Sequence, residues 1–378
     1  MSGYNVPYQL RPNKFVERQL FLDILDVVRV WNGSTKYLYA SMGGRFLEDF
    51  RLINDRFAIE QMISIESDET TWYRQKFNSL GFIDCRHQMS GEFVDELDNL
   101  AVSHPAHKLI VWLDNTVANK RGEQLGQFRQ LVSKLSSGDV AKITLNANSQ
   151  SFRKRASPLT RRDFDTYLKD PNSNIYTDYE TYVSNIITSN IERANETTER
   201  FLVLNDTEYE KICIENLKEQ LGDYLPNGSF SSEQLKTDTF AVFLAEAVKI
   251  AALKGVENSS FSVIPLGVFR YRDGEHQMLT VTTIIANGEL EKRIAGDVIF
   301  REWPFFPQDW SDVSEVSVPD MSQKERQHIE GLISLSHSAN QIHGEIKFRF
   351  DKDEATSLSL LEEYLRHYRR YPTFVRTQ

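Results

Sequence analysis

Short apolar runs alternate with amphipathic segments from residue 36 to residue 148, and this alternation constrains the fold more than any other feature of the sequence. The segment HKLIVWLDNT at 107–116 contains a nearly continuous apolar run, as expected for a parallel strand covered on both faces. The segment EQLGQFRQLVSKLSSG at 123–138 instead places its apolar residues at helical spacing. Strands that alternate with helices predict a parallel α/β sheet with right-handed crossovers.

The segments outside this alternation divide the chain into predicted parts. Residues 14–30 have helical spacing, and we expect Asn13 to cap that helix. Asp273 and Gly274 lie between two β-rich runs and predict a hairpin, so the sheet should end in an antiparallel pair. The predicted parts are an N-terminal helical segment (1–35), the first part of a Rossmann-like core (36–149), a mostly helical insertion (150–237), the helix and β-hairpin of the core (238–290) and a C-terminal extension (291–378).

Charge and cysteine content argue against several classes of protein. The chain has 44 basic and 54 acidic residues, and the net charge of −10 disfavours bulk attraction to nucleic acid. Cys85 and Cys213 form no CxxC pair, so neither a disulfide framework nor a cysteine-based zinc site is expected. No apolar run reaches the roughly 18 residues of a membrane span, and the first residues lack the apolar core of a secretory signal. We therefore expect a cytoplasmic protein.

A glycine turn in KYLYASMGGRFLEDFRLI, residues 36–53, follows the first predicted strand. A dinucleotide fold requires G-x-G-x-x-G for close approach of the pyrophosphate, whereas this turn has only the adjacent Gly43 and Gly44. S-adenosylmethionine carries no phosphate and needs fewer glycines. The turn therefore predicts a nucleoside ligand of that kind, with Ser41 and Met42 beside it. The alternative is an ordinary strand-to-helix turn without a ligand.

Acidic residues end two of the predicted strands. Glu66 lies 22 positions after Gly44, where a carboxylate can accept hydrogen bonds from ribose hydroxyls. Asp114 ends the strand predicted within 107–116, at the mouth of the expected pocket. Ligands of open α/β sheets bind outside the carboxyl ends of the strands, which favours a role for both residues. The alternatives are a surface or helix-capping carboxylate for Glu66 and a capping residue for Asp114.

Candidates for catalysis are few. His87 follows a short predicted strand and could act as a general base, although a lone loop histidine is commonly a surface residue. Asp114 with Asn146 or Asn148 could hold a divalent ion through oxygen ligands, but neighbouring strand ends are often polar without a catalytic reason. We predict no metal site. The N-P-P-Y and D-P-P-Y tetrads of enzymes that methylate base amines are absent from the sequence.

Two segments could serve as contact surfaces. A basic cluster follows the fifth strand and could bind nucleic acid, although a solvated charged loop is the more common explanation for such a cluster; its members are Arg153, Lys154, Arg155, Arg161 and Arg162. The aromatic stretch FREWPFFPQDW at 300–310 is expected to pack one part of the chain against another.

Several quoted motifs together resemble a bacterial family named "putative O-methyltransferase". They are RPNKFVERQLFLDIL, MGGRFLEDFRLI, MISIESD, IVWLDNT, ITLNAN, PLGVFRYRDG and MLTVTT. The resemblance covers most of residues 10–290 and, more loosely, YRRYPTF near the C-terminus. It implies a class I methyltransferase-type sheet, Rossmann-like and α/β, with a terminal antiparallel hairpin, a helical insertion and a C-terminal extension.

The resemblance implies S-adenosylmethionine as cofactor. Ser41, Met42, Gly43, Gly44, Glu66 and Asp114 would bind it, and Asp114 and His87 would be the catalytic candidates. Members of the family often lie near antiphage defence genes, which implies an alternative: a non-catalytic or repurposed component of a defence complex that acts through protein or nucleotide binding. The lack of a clear catalytic base favours this alternative, as does WLDNT, where family members commonly read WLDYD.

Overall fold

A sheet of eight strands forms the centre of the structure, a computed structural model that describes residues 7–33, 36–149, 206–227, 237–335 and 337–373. The strands are β1 (Lys36–Ser41), β2 (Gln61–Glu66), β3 (Ile83–His87), β4 (His107–Asp114), β5 (Val140–Asn146), β6 (Ser262–Asp273), β7 (His276–Ala286) and β8 (Ser314–Val316). Their order across the sheet is β3-β2-β1-β4-β5-β7-β6-β8.

The direction of the strands confirms the predicted architecture. β1 to β5 pair in parallel, whereas β7 runs antiparallel to both β5 and β6. Compared with the Rossmann order 3-2-1-4-5-6, the antiparallel strand lies between β5 and β6. The sheet is therefore the class I methyltransferase-type sheet that the resemblance implies. Gly274, at φ +63°, lies in the predicted turn of the hairpin.

Helices cover both faces of the sheet. They are α1 (Pro12–Asn32), α2 (Glu48–Phe57), α3 (Glu69–Asn78), α4 (Ser90–Ser103), α5 (Arg121–Lys134), α6 (Asp206–Leu221), α7 (Thr237–Val256), α8 (Gly288–Gly296), α9 (Val298–Arg301), α10 (Gln323–Ser334), α11 (Ala339–Glu345) and α12 (Glu354–His367). One apolar core joins α4, α5, α6 and α7 to one face of the sheet. A second core joins α1, α2 and the C-terminal helices to the other face.

Helix α1 does not begin as predicted. It starts at Pro12, and Arg11 is its N-terminal cap residue, which leaves Asn13 inside the first turn. The side chain of Asn13 instead accepts a hydrogen bond from the backbone N–H of Val318 at 2.7 Å and donates one to the carbonyl of Arg272 at 3.3 Å. Proline suits the first helical turn because its missing N–H is unpaired there anyway. Asn13 therefore connects α1 to the C-terminal extension.

The C-terminal extension packs on the sheet rather than apart from it. β8 pairs in parallel with β6. Phe305 and Trp310 of the aromatic stretch are buried, one in each apolar core.

Among the described residues, no helix is both long and apolar enough to cross a bilayer. The basic cluster at 153–162 and the insertion up to residue 205 lie outside the described residues.

A buried histidine predicts acid sensitivity of the fold. His367 has no exposed surface, stacks on Phe305 and has a pKa that burial lowers to about 3. The unfolded chain protonates it near pH 6.5 and so binds more protons than the folded chain between these values. Stability should therefore fall as pH drops below 6.5, by about 2 kcal/mol at pH 5 for this residue. Urea unfolding from pH 7 to 5 should show this, with a smaller loss in His367→Phe than in His328→Phe, a control at an exposed position.

Candidate functional site

A cavity of about 260 Å³ opens at the carboxyl ends of β1, β4 and β5, and we call it the inner cavity. Met42, Gly43 and Gly44 of the glycine turn form one side, and Asp114 lies at the end of β4. The start of the chain and the tip of the β6–β7 hairpin complete the wall, with Tyr8, Arg11, Lys14, Asp273 and His276. Ligands of open α/β sheets bind at this edge because the strand order changes direction there.

Gly43 and Gly44 are glycines for different structural reasons. Gly44 has φ +50°, a conformation that favours glycine, and a Cβ there would meet nothing within 4 Å. A Cβ on Gly43 would lie 2.5 Å from Leu47 Cδ2 and 2.7 Å from Ser64 Oγ. Gly43 therefore lets the turn pack against α2 and β2, whereas Gly44 leaves open backbone beside the inner cavity.

The close packing of Gly43 gives a stability prediction. We expect Gly43→Ala to lower the free energy of unfolding by about 1–3 kcal/mol, because the added methyl group overpacks the turn. Gly81→Ala is the matched control, since that glycine has open space and no positive φ. It should change stability by less than about 0.5 kcal/mol. Chemical denaturation of both variants tests this, and equal stabilities would contradict the packing argument.

Asp114 stays ionised at the edge of the inner cavity. Its Oδ2 lies 3.4 Å from Arg18 Nη2, and the side chain is only 10% exposed. Burial alone would raise the pKa of Asp114, but the positive charges of Lys14 and Arg18 and a hydrogen bond from Thr144 lower it. The result is a fixed carboxylate that can bind a positively charged group.

Glu48 is a second carboxylate of the inner cavity. It lies at the start of α2 and accepts a hydrogen bond from the N–H of Tyr8 at 2.8 Å, and burial raises its pKa.

A charged cluster beneath the inner cavity holds Asp114 in place. Glu17 accepts a hydrogen bond from Thr280 at 2.7 Å and pairs with Arg18 and Lys142, each at 2.8 Å. All three charged side chains are at most 2% exposed. Burial lowers the pKa of Lys142 to about 8, despite the opposing effect of Glu17. We call Glu17, Arg18 and Lys142 the buried charge cluster.

Arg18 links this cluster to the wall of the inner cavity. Besides Asp114, it pairs with Asp49 at 3.4 Å and donates a hydrogen bond to the hydroxyl of Tyr271 at 2.9 Å. Its guanidinium lies 4.5 Å from the ring centroid of Trp112 on β4. Burial would lower the pKa of Arg18, but Tyr271 and the surrounding carboxylates raise it well above its usual value. Arg18 is therefore a permanent cation that connects α1, α2, β4 and β6.

The side chain of Asn146, at the end of β5, is fixed by hydrogen bonds to backbone groups. The amide of Asn146 donates a hydrogen bond to the carbonyl of Thr116 at 3.1 Å and accepts one from the N–H of Asn148 at 2.9 Å. Asn146 lines the inner cavity in this fixed orientation. In the part of the chain that the structure describes, no group of three histidine, cysteine, aspartate or glutamate side chains could hold a metal ion.

Three of the predicted site residues do not line the inner cavity. Ser41 is fully buried at the end of β1. Glu66 accepts a hydrogen bond from the N–H of Asp68 at 2.9 Å, and burial raises its pKa. His87 Nε2 lies 3.1 Å from the carbonyl oxygen of Ser67, and its ring stacks on Trp72. Glu66 and His87 are register neighbours on β2 and β3, at the same edge of the sheet as the inner cavity.

Several residues of this region are absent from the sequence-based prediction. The N-terminal segment and the hairpin tip supply Tyr8, Lys14 and His276 to the wall. A signal for the buried charge cluster exists in the sequence: Glu17 and Arg18 interrupt the apolar pattern of α1, and Lys142 interrupts VAKITL in β5. Charged residues at inward positions are rare unless they are paired, so they indicate a buried ionic site.

Comparison with known proteins identifies a family for the chain. The sequence model of the family described as "Putative O-methyltransferase" matches residues 6–378. No curated protein matches the chain. A SAM-dependent methyltransferase from Anabaena variabilis aligns with 66% of this chain and 76% of its own, at 8% identity and a TM-score of 0.28. PKMT2 from Rickettsia typhi aligns with 100% of this chain and 76% of its own, at 10% identity and a TM-score of 0.23.

Proposed function

Because the chain belongs to the "putative O-methyltransferase" family, we propose that it transfers a methyl group from S-adenosylmethionine to an oxygen atom of an acceptor. One observation carries the proposal. The inner cavity lies at the carboxyl ends of β1 and β4, between the open backbone of Gly44 and the fixed carboxylate of Asp114. A glycine turn and an acidic strand end at this edge suit a nucleoside ligand.

Residues in and beside the inner cavity fit the chemistry of this cofactor. The ionised carboxylate of Asp114 would bind the ammonium group of the methionine part, and Gly44 would let the ligand approach the backbone. Met42 would contact the same part of the ligand. Glu66 would hold the ribose hydroxyls, because it ends the neighbouring strand at the same edge. When bound, S-adenosylmethionine supplies a methyl group activated by an adjacent sulfonium.

The protein's own part in such a reaction is mainly orientation. Arg18 fixes the carboxylate of Asp114, and Asn146 is fixed by Thr116 and the N–H of Asn148. Alignment of reacting groups by fixed side chains supplies much of the rate of a displacement reaction. Glu48 lines the cavity and has a raised pKa, so its Oε1 can accept a proton from an acceptor hydroxyl.

A second candidate function is the binding of an adenosyl ligand without methyl transfer. His87, the predicted general base, lies outside the inner cavity and stacks on Trp72. This favours a protein that binds an adenosyl ligand and acts through other proteins, as in the defence complex that the resemblance implies. Methyl transfer to oxygen and binding without transfer differ in one assay: only the first releases S-adenosylhomocysteine in the presence of an acceptor.

Titration calorimetry with S-adenosylhomocysteine tests the ligand part of the proposal. We expect micromolar binding to the unmodified chain and at least tenfold weaker binding to Glu66→Ala, which is about 1.4 kcal/mol. Glu60→Ala is the matched control, because Glu60 is exposed and precedes the opposite end of the same strand. No binding to the folded, unmodified chain would overturn the proposal. Equal losses in both variants would remove Glu66 from the site.

A further inference from the structure

Residues 7–10, which we call the N-terminal strap, form part of the wall of the inner cavity through Tyr8. The backbone makes a single 3₁₀ turn, Tyr8–Leu10, just before α1. Neither Tyr8 nor Leu10 belongs to an apolar core of the described residues, and Leu10 is 58% exposed. Segments with few buried apolar contacts open at a lower free-energy cost than core elements do.

Polar contacts of Tyr8 join the N-terminal strap to α2. The backbone N–H of Tyr8 donates a hydrogen bond to Glu48 Oε2 at 2.8 Å, and the hydroxyl donates one to Asp49 Oδ2 at 2.9 Å. Both carboxylates lie in the first turn of α2. Asp49 is 1% exposed and also pairs with Arg18, so this acceptor is fixed in place. Tyr8 is therefore the latch between the strap and a rigid helix.

The inner cavity is smaller than an adenosyl ligand requires. Its volume is about 260 Å³, whereas cavities that hold drug-sized molecules measure roughly 300–1,000 Å³. Much of the wall is rigid, because β1 and β4 each pair with a strand on both sides and Gly43 packs closely against Leu47 and Ser64. The N-terminal strap lacks such constraints, so we expect the cavity to enlarge by movement of the strap.

Arg11 separates the N-terminal strap from α1. Its backbone, at φ −133° and ψ 76°, belongs to neither the 3₁₀ turn nor the helix. Its side chain pairs with Asp273 at 3.1 Å, and α1 is fixed from Val16 onward by the second apolar core. Hinges of lids are residues at the ends of elements, where a change of φ and ψ is absorbed. Rotation at Arg11 can therefore move Tyr8 without moving α1.

We propose that the N-terminal strap is a lid of the inner cavity, which opens at Arg11 to admit an adenosyl ligand and closes over it when Tyr8 binds Asp49. This inference rests on the proposed function, because it adds a gating step to the same site. A ligand that enters only the open form and leaves only from the open form has two rate constants that depend on the latch. The hydrogen bond between Tyr8 and Asp49 therefore controls the speed of binding more than its strength.

Tyr8→Phe tests the lid, because it removes the hydroxyl and keeps the ring beside Lys14 Nζ, 4.7 Å from the ring centroid. Surface plasmon resonance measures both rate constants for S-adenosylhomocysteine. Since a hydrogen bond to a carboxylate shifts an equilibrium about tenfold or more, we expect both to rise by roughly fivefold or more, with a dissociation constant within about threefold. Tyr37→Phe is the matched control and should change neither rate. The hydroxyl of Tyr37 accepts a hydrogen bond from Asn32 at 3.0 Å, near the opposite end of β1.

Hydrogen exchange gives a second readout of the lid. The amide of Tyr8 is bonded to Glu48, so it exchanges when the N-terminal strap opens. S-adenosylhomocysteine at ten times its dissociation constant should slow this exchange about tenfold, because the ligand stabilises the closed form. Without ligand, Tyr8→Phe should speed exchange at the same position by roughly fivefold or more. Mass spectrometry with fragmentation measures both effects, and Tyr37→Phe is again the control.

The remaining outcomes decide against the lid or against the proposed function. Unchanged rate constants in Tyr8→Phe, weaker binding with an unchanged association rate, or ligand protection confined to the β6–β7 hairpin would overturn the lid alone. If the unmodified chain does not bind S-adenosylhomocysteine, the proposed function fails, and exchange in the ligand-free Tyr8→Phe variant still decides whether the strap opens. If that variant does not fold, ligand protection of the Tyr8 amide in the unmodified chain decides.

Discussion

Replacing Glu17 with leucine is expected to lower the free energy of unfolding by about 3–5 kcal/mol, the typical cost of removing one partner from a buried ion pair. Glu17 is the carboxylate that both Arg18 and Lys142 contact, and all three are almost fully buried. Arg18 keeps Asp49 and Asp114 in the variant. Lys142 would lose its ion-pair partner inside the apolar core, and this uncompensated charge accounts for most of the loss.

Urea denaturation of three variants measures the effect. The double variant Glu17→Leu/Lys142→Met should recover part of the lost stability, because replacing both members of a buried pair by apolar residues is often nearly neutral. Glu289→Gln removes an exposed partner of Arg293 and is the control. It should cost less than about 1 kcal/mol. A Glu17→Leu loss no larger than that of the control would show that the buried charge cluster does not stabilise the fold.

Asp114→Asn is expected to weaken binding of S-adenosylhomocysteine by about 10- to 100-fold. Asparagine keeps the shape of the side chain and removes its charge. A hydrogen bond to a charged group contributes about 1.5–3 kcal/mol, which corresponds to that range. The proposed partner is the ammonium group of the ligand, and Asp114 is ionised because Lys14 and Arg18 lower its pKa. Calorimetry measures the change in the dissociation constant directly.

A matched control separates this effect from a general loss of negative charge. Asp98→Asn changes an exposed carboxylate on α4 that pairs with Lys134 and does not line the inner cavity. It should leave the dissociation constant unchanged within about twofold. Thermal unfolding of both variants shows whether each remains folded at the titration temperature. An Asp114→Asn variant that is folded and binds normally would remove Asp114 from the proposed site.

The arrangement of β1 to β7 follows from the sequence because each of these strands has a local signal. Nearly continuous apolar runs predict buried parallel strands, and Asp273-Gly274 predicts the antiparallel hairpin. The rule that ligands bind at the carboxyl ends of strands then brings Met42, Gly44 and Asp114 to one edge. The structure places these three around the inner cavity.

The other wall of the cavity could not be predicted in the same way. Tyr8 and Lys14 reach the inner cavity only because α1 packs on the sheet beside β6. No local pattern encodes that packing. Asn13 illustrates the limit, because its side chain binds Val318, a residue of the C-terminal extension, instead of capping α1. Long-range contacts of this kind depend on the assembled core, whereas strand and turn signals depend on a few neighbouring residues.

A crystal structure of the chain with S-adenosylhomocysteine tests the central claim most directly. We predict density for the ligand at the carboxyl ends of β1 and β4, with its amino group at the carboxylate of Asp114 and its backbone contacts at Gly44. The ribose is predicted at Glu66. A ligand bound away from both Gly44 and Asp114, in crystals of a chain that binds it in solution, would contradict the account.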